Sequence, residues 1–166
     1  SANHVNNPKP PRLLYGIDPI EIAPIIEQRI ADAKAGLRGT GQRIQSNTHV
    51  LEGAVYSHPL TVEDLLRSKT DAATYLAWRK DAIAFAIDDA QRRGLEVLSV
   101  VEHLDESHPH LHVLAIPILN ESNPRLDAKN CHPGHVASKQ AADAGSNPKE
   151  QMAAYRQAMQ GWQDRV

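Results

Sequence analysis

Val100-Val-Glu-His-Leu-Asp-Glu-Ser-His-Pro-His-Leu-His-Val-Leu-Ala-Ile-Pro117 decides how this chain is read. Two apolar runs flank a short polar connection, and each run reads as a buried strand. His110 and His112 stand two residues apart on the second run. Side chains alternate along a strand, so both rings reach one face, roughly 7 Å apart at about 3.3 Å rise per residue. On the first run Val101 and His103 share a face, which places His103 where that strand ends. Asp105, Glu106, Ser107 and Pro109 are turn-compatible and let the chain double back. A hairpin then brings His103 against His110 and His112, with a carboxylate close by.

Three neutral imidazoles suit a divalent transition metal such as manganese or zinc, with positions left for water or substrate. Magnesium prefers oxygen ligands and matches this donor set less well. A single histidine on a strand is usually just a satisfied polar residue. Three of them with Asp-Glu inside ten residues point to a metal site.

Taken whole, His103-x-Asp105-Glu106-x-x-Pro109-His110-x-His112 resembles the motif of the MobV-type relaxases, the plasmid mobilisation and recombination (Mob/Pre) family. His110-Leu111-His112 is also similar to the His-hydrophobic-His element of the wider HUH endonuclease group. The resemblance implies an α+β fold: an antiparallel sheet, helices packed on one face, and the metal site on the open face. It further implies that His103, His110 and His112 hold a divalent metal, manganese first, with magnesium or zinc as alternatives. The substrate class implied is single-stranded DNA at a plasmid transfer origin, nicked and left covalently attached to the protein. Glu106 is the first candidate to manage the nucleophile's proton or to orient a ligand imidazole, and Asp105 the second for orienting. The family's nucleophile is usually a histidine in a His-Asn-x-x-Arg-like element, which this chain lacks. His4 is the nearest positional candidate and Tyr15 an alternative by analogy with tyrosine relaxases. The expectation is that the family's first strand precedes residue 1; otherwise the nucleophile has been lost or replaced.

Composition sets outer bounds. A chain of 166 residues, 41% hydrophobic and 23% charged, is large enough for one domain with its own core. Aromatics at 4% exclude extensive stacking of bases on aromatic platforms. A net charge of -2 argues mildly against nonspecific nucleic-acid binding but leaves room for a local basic groove. Arg12, Arg43 and Lys129 are the candidates. Lys129 belongs to Arg125-Leu-Asp-Ala-Lys129, which resembles the segment after the histidine motif in the mobilisation relaxases. The single cysteine, Cys131, permits no internal disulfide. With no apolar run of membrane-spanning length and no signal-peptide pattern, a cytoplasmic location is expected.

The rest of the chain reads as follows. Residues 1–16 form an extended arm. Asp18-Pro19 opens a helix that ends near Gly36. Strand preference runs from Ile44 to Ser57, with a possible bulge at Gly53. Thr61 and Asp64 form a capping box. The longest helix spans Asp71 to Arg93, with Tyr75, Leu76, Ile83, Ala86, Ile87 and Ala90 inward, and Gly94 stops it. Residues 119–148 read as irregular loop containing Cys131, His132 and His135, whose spacing fits no strong zinc pattern. A last helix from Pro148 to about Asp164 carries Met152, Tyr155, Met159 and Trp162 as a packing stripe.

Two other functions fit parts of the pattern. His108-Pro-His110-Leu-His112 also satisfies the His-x-His-x-His pattern of the histidine-triad nucleotide hydrolases, where His110 would attack a nucleotide phosphate without metal. A mobilisation or replication module that only recognises DNA is the non-enzymatic alternative.

Overall fold

The structure, a computed structural model, describes residues 10–165. Four antiparallel strands form one sheet: β1 (Arg12–Gly16), β2 (Glu52–Ser57), β3 (Leu95–His103) and β4 (His110–Pro117), in the order β1-β3-β4-β2. The two apolar runs of the hairpin are thus its centre, and each is flanked by a shorter strand. β1 lies within what the sequence reads as an extended arm. Its pairing with β3 is long-range and leaves Leu13 and Tyr15 exposed, so no local apolar pattern announces it. β2 is shorter than the strand preference from Ile44 suggests. The ladder runs unbroken through Gly53, and the irregularities lie between Leu13 and Tyr15 and between Val97 and Ser99.

The helices are α1 (Ile22–Gly36), α2 (Val62–Arg67), α3 (Lys69–Arg92), α4 (Pro133–Asp143) and α5 (Pro148–Gln163). Thr61 and Asp64 cap α2 reciprocally, as their spacing predicts. Past α3, Gly94 sits at φ +82, a backbone that an L side chain rarely adopts. Leu76 and Met152 are exposed, so neither belongs to the apolar stripe expected of its helix.

Alternation along β4 divides the core. Leu111, Val113 and Ala115 point to one face, where Ala82, Ala86 and Ala90 of α3 and Trp162 of α5 pack on them. Small alanines let α3 approach the sheet closely. Leu114 and Ile116 point to the other face and meet Ile22, Ile25 and Ile26 of α1. Helices therefore cover both faces, not one. β3 and β4 are apolar on both sides at the Leu95–Leu98 and Leu114–Pro117 end, which a single helical layer cannot bury.

Residues 119–148 are also more ordered than they read. They contain a 3₁₀ turn, Ala128–Asn130, and α4, whose Gly134 lies against the ring of Tyr155 on α5. No helix among the described residues is long and apolar enough to cross a membrane.

Candidate metal centre

The site is built from the hairpin upward. His103 ends β3 directly opposite His110, which begins β4, and Val101 is opposite His112. All three imidazoles share a face and converge, each offering one nitrogen within 4.8 Å of the others. Their ring centroids are 5.3 Å apart for His103 and His110, 4.6 Å for His103 and His112, and 4.9 Å for His110 and His112. A shared zinc ion, about 2.1 Å from each nitrogen, would bring the three nitrogens to roughly 3.4 Å from one another.

The connection between the strands is anchored rather than loose. His58 donates its backbone N–H to the carbonyl of Pro109 at 2.9 Å, and Val62 donates to Ser107 at 3.0 Å. Pro109 is fully buried, which sets the approach of the chain into His110. Behind the loop, buried His58 lies edge-on to Tyr75 and Trp78 of α3. Burial, then the neighbouring His108, holds its imidazole below the usual range.

His110 Nδ1 is 3.1 Å from the carbonyl oxygen of His108. A carbonyl only accepts, so Nδ1 carries the proton and Nε2 keeps its lone pair. A backbone carbonyl fixing the tautomer in this way is common behind a metal-ligating histidine. His110 is 7% exposed, whereas the His103 side chain is 30% exposed and gives the cluster an opening. Asp105 Oδ1 lies 3.6 Å from His103 Nδ1, buried and without a hydrogen-bond partner. That distance is too long for a hydrogen bond in the structure, but a small turn of either group closes it. Asp105, the second choice from sequence for an orienting role, is thus the carboxylate that stands beside His103. Glu106 is exposed, and its charge still raises the proton affinity of His112. The net effect on His112 is the reverse: burial first, then His103 and His110, pull its pKa down. A neutral imidazole is the form that binds metal.

A row crosses the sheet at this level, from Leu13 through Val101 and His112 to Val55. Leu13 and Val55 are exposed, and α1 packs at the other end of the face, so the cluster opens outward. The donor set fits a divalent transition metal: three imidazoles, one tautomer preset, and an orphaned carboxylate oxygen beside a ligand.

One contributor escaped the sequence reading. Glu102, next to His103 but on the opposite face, is 3% exposed and accepts from Tyr75 Oη at 2.6 Å and Arg79 Nη1 at 2.8 Å. This buried ion pair ties the end of β3 to α3. A lone acid in an apolar strand, with Tyr75 and Arg79 four residues apart on a helix, was the available signal.

Other candidates are scattered. His4 lies outside the described residues. Tyr15 is on β1, exposed. Arg12 pairs in register with Glu102, which puts it on the face away from the histidines. Arg43 lines a groove at the end of α1, whereas Lys129 lines different ones beside α4. Cys131 is buried against Asn123 and the Gly94 carbonyl, with burial pushing its thiol up, and takes no part in a metal cluster. Among the described residues His103, His110 and His112 are the one group arranged to hold an ion.

No protein-family model, no curated protein and no solved structure matches this chain.

Proposed function

We propose that the chain is a metal-dependent nicking and strand-transfer protein acting on single-stranded DNA, a relaxase of the plasmid-mobilisation kind. One observation carries the reading: three imidazoles from two adjacent strands converge within 4.8 Å at an open point of the sheet. The motif that encodes them resembles that of the mobilisation relaxases, and an antiparallel sheet with helices is compatible with an HUH-like fold. His103, His110 and His112 would hold the ion, manganese first by the resemblance. Bound there, a divalent cation neutralises charge on a phosphate.

The chain's own groups divide the remaining work. Asp105 orients His103. Glu106, exposed at the mouth, takes the proton that the nucleophile loses as its bond to phosphorus forms and the leaving strand departs. His4 and Tyr15 are the candidate nucleophiles. The metal-free nucleotide-hydrolase alternative gives no role to His103, which stacks on His110.

The test is a denaturing gel of the manganese-loaded protein incubated with labelled single-stranded oligonucleotides. The reading expects a nicked strand linked to protein, lost in His110→Ala and in one of His4→Ala or Tyr15→Phe. A strand cut but never linked would replace strand transfer by hydrolysis, and uncut DNA under every metal would remove the nuclease reading.

A further inference from the structure

Away from the histidines, the end of α1 and the loop after it form a groove of about 480 Å³ lined by Lys34, Arg38 and Arg43 and by no acidic residue. All three cations are exposed and none is ion-paired among the described residues. Other exposed cations of the chain also lack a partner, but these three line one groove with no carboxylate among them, in a chain of net charge -2. Lys34 lies in the last turn of α1 and Arg38 just past its end, so two like charges are brought together. The helix dipole offsets this at a C-terminus, yet it gives no reason for Arg43 to join them from the loop.

The loop itself is built and held. Leu37 is buried beneath it. Thr40 Oγ1 donates to the Leu37 carbonyl at 2.8 Å and accepts from the Gln42 N–H at 3.1 Å. Gly39 and Gly41 sit at φ +79 and +75, with open space where a Cβ would stand. Packing does not demand glycine there; the backbone conformation does, and the result is bare main chain between three cations. Such a surface admits the close approach of an extended anion.

We infer that this groove binds the phosphate backbone of a single DNA strand, as a second contact separate from the metal centre. The choice of DNA as the polyanion rests on the strand-transfer reading. The groove is larger than one phosphate needs, and its three charges are spread around it, so successive phosphates fit better than a single free ion. Contacts of this kind are sequence-independent and salt-sensitive.

Fluorescence anisotropy of a labelled single-stranded oligonucleotide, with chelator present and across a salt series, tests this. The Lys34→Ala/Arg38→Ala/Arg43→Ala variant should bind at least tenfold more weakly at low salt, with a log–log salt slope shallower by about 2, at roughly 0.7 for each phosphate no longer neutralised. A control variant, Lys69→Ala/Lys80→Ala/Lys149→Ala, removes three other exposed cations that have no ion pair among the described residues, and should keep the wild-type slope. Equal slopes in wild type and the groove variant, or equal flattening in both variants, overturn the groove. Binding of the groove to phosphatidylserine vesicles with no oligonucleotide binding overturns the assignment to DNA. The strand-transfer reading fails separately: His110→Ala would then bind the oligonucleotide like wild type and neither protein would cut it.

Discussion

Two imidazole clusters stand out among the described residues, and only one has the geometry to hold an ion. His132 and His135 stand 4.9 Å apart, the same as His110 and His112. Separation does not distinguish them; the nitrogens do. His132 caps α4, its Nδ1 accepting from the His135 N–H at 3.4 Å. A backbone N–H only donates, so the neutral ring spends its lone pair on the helix and turns a protonated Nε2 outward. His110 does the opposite, donating its Nδ1–H to a carbonyl and keeping the Nε2 lone pair for the cluster. A third ring, His103, then comes from the neighbouring strand, whereas the third ring beside His132 and His135 is Tyr155. Capping and ligation compete for the same atom.

The largest test of this contrast is to delete one ring from each cluster. His110→Ala should lower manganese or zinc affinity more than 100-fold in calorimetry, beyond the 10–100-fold typical of losing an orienting partner. His132→Ala should leave it unchanged, and an equal loss in both variants would erase the distinction. Asp105→Asn comes next. It should cost roughly 10–100-fold in affinity by loosening His103, and Glu106→Gln should cost less. The reverse order would return the orienting role to Glu106.

Gly134→Ala probes the second cluster through packing. Its Cβ would stand 2.5 Å from the Tyr155 ring, so the ring or the helices must shift, at a cost of about 1–3 kcal/mol. Thermal unfolding should show that loss while metal affinity stays at the wild-type value. The smallest effect is in pH. Burial first, then His135 and Arg93, lower the pKa of His132 below its ordinary 6.5. The folded state therefore resists protonating this ring. Its contribution to stability is intact above about 6.5 and declines as pH falls through 6.5 toward the lower folded value. His132→Asn keeps a capping side chain without the titration, and its unfolding midpoint should fall less between pH 7 and 5 than that of wild type.

Much of the fold was open to reading from local pattern. Gly94 ends α3, Thr61 and Asp64 cap α2, and the hairpin is centred where its two apolar runs require. β1 and α4 were not readable in the same way. Arg12–Gly16 is five residues long and exists by pairing with β3, some 85 residues later in the chain. α4 begins in Pro133-Gly134, poor helix formers away from a first turn, and is stabilised by its contact with α5. Long-range pairing leaves little trace in neighbouring residues.

The same division holds at the histidine cluster. Sequence alone determined that His110 and His112 share a face and that His103 can join them, because side-chain alternation is a property of the strand itself. Only the tertiary structure decided that α1 packs at the far end of that face and leaves the cluster open. It likewise decided that Asp105 rather than Glu106 stands beside His103, and that His110 Nδ1–H donates to a carbonyl. Coverage and lone-pair direction depend on what the folded chain brings alongside, and periodicity carries no record of that.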